Sequence, residues 1–184
     1  MLIFMLGGKT LSNEIQISEL TEISGSTLGN LAALLIDVVD EGASIGFLPP
    51  LDQAEAALYW SSVTRDDVVL WIAHRNGETV GSVQLHLCSR PNGIHRAEIA
   101  KLMVHPRARR KGIGQQLMAA AEERARMENR SLLVLDTRAG DPSNLLYRSM
   151  GYIEAGRIPQ YAKSANGELH DTVYYYKNLS PDTQ

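Results

Sequence analysis

Apolar residues recur along this chain with two different periods, and the switches between those periods divide it into elements. Glu14 to Leu20 alternates apolar and polar positions, as a half-buried strand does, and Leu28 to Glu41 carries apolar residues at helical spacing up to Gly42. The stretch from Gly42 to Pro50 is rich in breakers and reads as a loop, after which Asp52 is placed to cap a second helix over Gln53 to Val63. Val68 to His74 and Thr79 to Leu87 are β-rich runs joined across Arg75-Asn76-Gly77-Glu78, where the Asn-Gly pair predicts a tight hairpin. A further turn at Arg90-Pro91-Asn92-Gly93 returns the chain into Ala97 to Val104, the last strand of a three-stranded antiparallel meander.

From Ile113 the period returns to helical. Ile113, Leu117, Ala120, Ala121 and Ala125 share one face, with Gln115, Glu122, Glu123 and Arg126 off it, and this helix ends near Asn129. Leu132 to Leu135 is an unbroken apolar run, the pattern of a strand buried on both faces behind a crossover helix. Pro142 opens a short helix to Met150 that Gly151 stops, and Tyr152 to Ile158 and Thr172 to Tyr176 read as two closing strands. The order β, α, α, three-strand meander, α, β, α, β, β predicts one α/β domain over residues 13–179, between a leader at 1–12 and a tail at 180–184. Met1 to Leu6 is apolar but is cut short by Gly7-Gly8-Lys9, so it reads as a flexible start and not as a signal-peptide core or a membrane span.

Composition narrows the function classes. With 184 residues, 44% of them apolar and 21% charged, the chain has the make-up of a globular domain with a single core. A net charge of -3 and a pI near 5.9 give no overall attraction to nucleic acid or to an anionic membrane, so neither is an expected partner. Cys88 is the only cysteine, which points to a reducing, cytoplasmic setting; the five histidines are scattered, and none is assigned to a metal.

The chemistry concentrates between Leu102 and Gln115. There a strand runs through a basic turn into a helix start, where unpaired N–H groups and the positive end of the helix dipole face outward together. Gly112 and Gly114 let a bulky anion approach the backbone, and Arg109, Arg110 and Lys111 add positive charge. A diphosphate suits such a site. No Gly-Lys-Ser/Thr ending marks a nucleotide P-loop, and no fuller glycine triplet follows the first strand as a dinucleotide fold requires, so neither ATP nor NAD is indicated.

Arg109-x-x-Gly112-x-Gly114, set between a strand and a helix, resembles the cofactor signature of the GNAT acetyltransferase superfamily. Leu132 to Asp136 followed by Asn144-Leu145-Leu146-Tyr147-Arg148-Ser149-Met150-Gly151-Tyr152 is similar to the later half of the same site, and together these cover about Thr79 to Tyr176. Further phrases, among them Gly42-Ala43-Ser44-Ile45-Gly46-Phe47, Pro91-Asn92-Gly93, Lys101-Leu102-Met103-Val104 and Leu135-Asp136-Thr137, resemble the tabtoxin-resistance acetyltransferases, which acetylate an amine of a β-lactam dipeptide toxin. The resemblance implies the GNAT fold, a mixed sheet of about seven strands with four helices around it, in which the fourth and fifth strands splay apart. It implies acetyl-CoA as the acetyl donor, with no metal, held by Leu102, Met103 and Val104 through their main chain, by Arg109, Arg110, Lys111, Gly112, Ile113, Gly114 and Gln115 around the phosphates, and by Asn144 and Tyr147. The Met103 N–H is the implied donor to the thioester carbonyl.

Direct transfer to an amine needs a proton acceptor for the ammonium and a proton donor for the departing thiolate. Glu98 and Asp136 are the candidate bases and Tyr147 the candidate acid. As residues alone, Glu98 reads equally as a solvent-facing strand charge, Asp136 as a turn or helix cap, and Tyr147 as an aromatic packed on the sheet. Three functions follow: an N-acetyltransferase for a primary amine of a small, amino-acid-like molecule or β-lactam dipeptide, acting as monomer or homodimer; a protein or peptide N-acetyltransferase; and a non-catalytic acyl-CoA sensor, which the joint presence of Glu98, Asp136 and Tyr147 disfavours. The acceptor pocket is expected to involve the Gly42 to Pro50 loop, Tyr59 and Trp60, and a loop from Gln160 to His170.

Overall fold

The computed structural model describes residues 14–179, so the leader and the tail lie outside the described residues. The elements are β1 (Gln16–Leu20), α1 (Gly25–Asp40), α2 (Gln53–Ser61), β2 (Val68–Arg75), β3 (Glu78–Leu87), β4 (Arg96–Val104), a single 3₁₀ turn at Pro106–Ala108, α3 (Ile113–Met127), β5 (Leu132–Arg138), α4 (Ser143–Ser149), β6 (Ile153–Lys163) and β7 (Leu169–Asn178). The order of helices and strands follows the periodicity of the sequence. Asn76 and Gly77 take the positive φ angles, 53° and 83°, that close the β2–β3 hairpin, and Asp52 Oδ1 accepts from the Glu55 N–H at 2.8 Å as the cap of α2.

The seven strands form one sheet in the order β1-β2-β3-β4-β5-β7-β6, antiparallel throughout except for the parallel pair β4–β5. A core lies on each face. On one side α1 buries Leu31, Leu34, Leu35, Val38 and Val39, each at most 1% exposed, against α2 and Leu70, Ile72 and Met103 of the sheet. Each such side chain contributes about 1.5–3 kcal/mol on leaving water. On the other side α3 buries Ile113, Leu117, Met118, Ala121 and Ala125 against Val69, Trp71, Val83, Leu85, Ile99 and Leu133. Gly81 of β3 permits that approach: a Cβ there would lie 2.9 Å from the Met103 carbonyl oxygen and 3.1 Å from Leu117. Glu122, placed off the apolar face by its polarity, is also buried; Lys177 Nζ meets its carboxylate at 2.7 Å.

Three features go beyond the local pattern, and the second and third correct expectations. First, β4 is not a regular strand. Its register against β3 slips between Ser82 and Gln84, which face Met103 and Ala100, and Lys101 adopts φ 51°. This bulge inserts one residue and reverses the alternation, so Ala97 and Ile99 point into the α3 core while Met103 points into the α1–α2 core. Second, β5 is buried on one face only: Leu133, Leu135 and Thr137 are buried, whereas Leu132 and Val134 are half-buried and Asp136 is exposed, because α1 and α2 cover β2 to β4 and stop short of β5. Third, the stretch from Gln160 to His170 is mostly strand. β6 runs on through Pro159 to Lys163 and pairs with β7 across a register irregularity between Ile158 and Ala162, leaving only a short turn before Leu169.

Candidate active site

β4 and β5 are hydrogen-bonded neighbours only from Arg96↔Leu132 to Glu98↔Val134. Beyond that point the bulge bends β4 away, so the β5-facing edge from Ile99 to Val104 has no strand partner. The gap widens into a cleft of about 1170 Å³ that reaches from the start of α3, across both splayed strands, to the loop after α1 and the end of β6.

The α3 end of the cleft is shaped for an anion. Gly112 is the N-cap with φ 75°, a conformation that disfavours any Cβ, and its side supplies no capping oxygen. The first helical hydrogen bond is Gln116 N–H to the Gly112 carbonyl, and no acidic residue occupies the first turn, so the N–H groups of Ile113, Gly114 and Gln115 remain as outward donors. Gly114 serves a packing need: a Cβ there would lie 3.1 Å from Leu146 of α4. Arg109, Arg110, Gly112, Ile113, Gly114 and Gln115 line the cleft, whereas Lys111 is not among its lining residues. Arg109 donates through Nε to the Val104 carbonyl at 3.2 Å, which ties the turn to the end of β4 and occupies a main-chain acceptor that the splay had left open.

At the other end, Glu98 and Asp136 face the same cleft from adjacent strands. Glu98 pairs with Val134 in the ladder, and Asp136 lies two residues further along β5 on the face of Val134. Water reaches both carboxylates from the cleft, yet the flanking protein raises both pKa values: burial comes first for each, the negative charge of Asp136 adds to it at Glu98, and the Lys101 ammonium opposes it at both. Tyr147 of α4 reaches the cleft between the two ends. It is 5% exposed, its hydroxyl makes no hydrogen bond among the described residues, and burial pushes its phenol above the usual range, with Asp136 and Asp141 adding to the shift.

Asn144 does not reach the cleft, although it shares a helical face with Tyr147. Its Nδ2 donates to the carbonyls of Arg138 and Asp141 at 2.9 and 2.8 Å, and its Oδ1 accepts from the Tyr175 hydroxyl at 2.9 Å. The amide nitrogen closes the β5–α4 turn and the amide oxygen ties α4 to β7, and together they place Tyr147. Trp60, 0% exposed, is core; Tyr59 packs edge-on against Phe47 at 5.1 Å, behind the cleft wall. The cleft wall away from α3 includes residues from Gly42 to Leu48 together with Tyr161, Ala162 and Lys163 of β6, two of the segments expected around the acceptor. Lys101 was not singled out by the sequence, since one lysine in an apolar strand looks like an edge charge; the bulge turns it into the cleft.

A splayed parallel pair in a seven-stranded sheet, with an anion cradle at the following helix, coincides with what comparison finds. Residues 66–154 match the acetyltransferase (GNAT) domain. The chain is a GNAT-fold N-acetyltransferase. The ribosomal-protein-alanine N-acetyltransferase of Brucella melitensis superposes with a TM-score of 0.75 at 25% identity, over 89% of this chain and 99% of that one. The phosphinothricin acetyltransferase of Sinorhizobium meliloti, in complex with AcCoA, superposes on this GNAT chain with a TM-score of 0.76 at 20% identity, over 92% and 90% of the two chains. By sequence, the L-methionine sulfoximine/L-methionine sulfone acetyltransferase of Pseudomonas aeruginosa is 25% identical over 156 residues, covering 84% of this chain and 90% of that one. No helix among the described residues is long and apolar enough to cross a membrane.

Proposed function

We propose that the enzyme transfers the acetyl group of acetyl-CoA directly to the primary amine of a small, amino-acid-like acceptor. The observation that carries this reading is the single cleft that joins a phosphate-type cradle at α3 to two carboxylates at the far side of the β4–β5 splay, with a free phenol between them. The likeness to a methionine sulfoximine acetyltransferase over most of both chains supports a small acceptor.

The residues suit the donor. Free N–H groups at the start of α3, with Arg109 and Arg110, would hold the diphosphate, and the edge of β4 from Leu102 to Val104, which has no strand partner and of which Arg109 engages only the last carbonyl, would pair with the pantetheine amides as an added strand does. The Met103 N–H is assigned to the thioester carbonyl. The bound donor supplies an acyl group already activated as a thioester. Glu98 or Asp136 takes the proton that an alkylammonium must lose before it attacks, directly or through one water, and their raised pKa values bring both nearer to a useful base strength. Tyr147 stays protonated at working pH and is positioned to give its proton to the departing thiolate.

A second reading, transfer to an amine of a protein or peptide, is supported by the likeness to the Brucella enzyme. One experiment separates the two: thiol release from acetyl-CoA is followed with a panel of primary amines that includes amino acids, a β-lactam dipeptide and short peptides. Turnover confined to the small amines is the expected result. Turnover confined to the peptides overturns the acceptor class, and thiol release that no amine accelerates overturns the transfer itself.

A further inference from the structure

The loop after α1 lines the acceptor end of the cleft, with Ala43, Ile45 and Phe47 packed against the α1–α2 core. Two cations from the splayed strands fix it. Arg138 at the end of β5 donates through Nη2 to the Gly42 carbonyl at 3.0 Å, and Lys101 at the bulge of β4 donates through Nζ to the Ile45 carbonyl at 2.6 Å. The Lys101 ammonium also lies over two rings, 5.7 Å from the centroid of Phe47 and 5.8 Å from that of Tyr59. Gly46, at φ 92°, comes so close that a Cβ there would lie 3.3 Å from Nζ. A lysine in such a cage is ordered by a carbonyl acceptor and two rings together, and cation–π contacts of this kind contribute most where water is excluded.

The charged and titratable groups that surround it come from every neighbouring element. Glu98 of its own strand and Asp136 of β5 line the same cleft as Lys101, His86 of β3 lies near enough to be affected by its charge, and Tyr59 of α2 is held by the Gln84 amide at 2.8 Å. Burial pulls the ammonium down from its usual range, while Asp136 and Glu98 hold it up; it remains the cation opposite the two carboxylates.

We propose that Lys101 is a positioning residue for the transfer, one ammonium that both docks the Gly42–Phe47 loop as the acceptor wall and supplies the positive charge that keeps Glu98 and Asp136 ionised. The proposal rests on the reading of those carboxylates as the acceptor end of the cleft. Its logic is a sign argument. A carboxylate acts as a base only when ionised, an adjacent cation favours the ionised form, and the rate is therefore retained to lower pH with Lys101 in place than without it.

Lys101→Met keeps the length of the side chain and removes both the donor and the charge. The expected result is an acceptor KM raised about tenfold, as one charge-assisted hydrogen bond warrants, an acetyl-CoA Kd within about twofold of wild type, and an acid limb of kcat/KM moved up by as much as about one pH unit. Lys101→Arg restores the charge but not the compact donor, so it should return the acid limb toward wild type and leave the acceptor KM raised. A ¹³C-NMR titration of the side-chain carboxyls of Glu98 and Asp136, without substrate, gives a readout that needs no turnover: both should titrate at higher pH in Lys101→Met than in wild type. Unmoved carboxyl titrations with an unmoved acid limb overturn the proposal, as does a donor Kd that worsens in step with the acceptor KM. If the titrations move as stated while Glu98→Gln and Asp136→Asn both keep the wild-type pH profile, the assignment of the base has failed and the influence of Lys101 on the pair stands.

Discussion

At the residue scale, Tyr147 has to be buried enough to stay protonated and open enough to reach the cleft. It satisfies both: the ring is packed against Tyr152 and Tyr175, each at 5.9 Å between centroids, and the hydroxyl alone is left without a partner among the described residues. A phenol that only packed would contribute little to rate, whereas one that donates to charge developing on the leaving sulfur contributes about 10²- to 10⁴-fold. Tyr147→Phe preserves the ring contacts, so turnover is expected to fall by that factor while acetyl-CoA affinity and melting temperature stay near wild type. The deficit should shrink with acyl donors whose thiol is more acidic, because such a thiolate leaves without protonation. Normal turnover in the Phe variant, with chemistry limiting, returns Tyr147 to a packing role. That Tyr147 reaches the cleft agrees with what the resemblance implied for the Asn144 to Tyr152 segment; that Asn144 itself is consumed by the turn and by Tyr175 was not legible, since a hydrogen-bond partner thirty-one residues away leaves no trace in local spacing.

At the element scale, the cradle depends on how α3 begins. A helix whose N-cap offers no side-chain oxygen keeps its first N–H groups for a ligand, and a glycine at positive φ makes that entry possible without steric cost. Gly112→Val forces a β-branched side chain into the left-handed region, which costs on the order of 1–3 kcal/mol, and the strain is relieved by shifting the turn that faces the phosphates. Acetyl-CoA Kd is expected to rise at least tenfold by calorimetry, with the circular dichroism of the fold retained; an unchanged Kd in the folded variant removes the turn from the donor site. The glycines were visible in the sequence as one motif. Their division of labour was not, because whether a glycine answers to φ, as at Gly112, or to a neighbour, as at Gly114 beneath Leu146, depends on what packs above it.

At the scale of the whole molecule, the splay leaves part of two strands without partners, and the proposed donor fills that gap. A ligand that binds only the folded state stabilises it by RT ln(1 + [L]/Kd), about 2.7 kcal/mol at a hundredfold excess over Kd. For a chain of this length that corresponds to a rise in melting temperature of roughly 5–10 °C. Hydrogen exchange should slow at the same time in β4 from Leu102 to Val104 and in the first turn of α3, and remain unchanged in β1, which β2 and β3 separate from β4. Protection spread evenly over the sheet, or absent from β4, contradicts the placement of the donor between the strands.

The sequence alone determined the order of the elements, the hairpin at Asn76-Gly77, the cap at Asp52 and the anion-type turn before α3. These follow from local rules, periodicity, turn chemistry and helix-end electrostatics, which operate over a few residues and are written in them. Tertiary structure alone decided the bulge at Lys101, the open face of β5 and the length of β6. A bulge is a register relation between two strands, a face is open only if no helix covers it, and β6 continues through Pro159 because β7 is there to pair with it. The cleft is the joint product of those three decisions, which is why its carboxylates and tyrosine were legible as residues but the lysine that faces them was not.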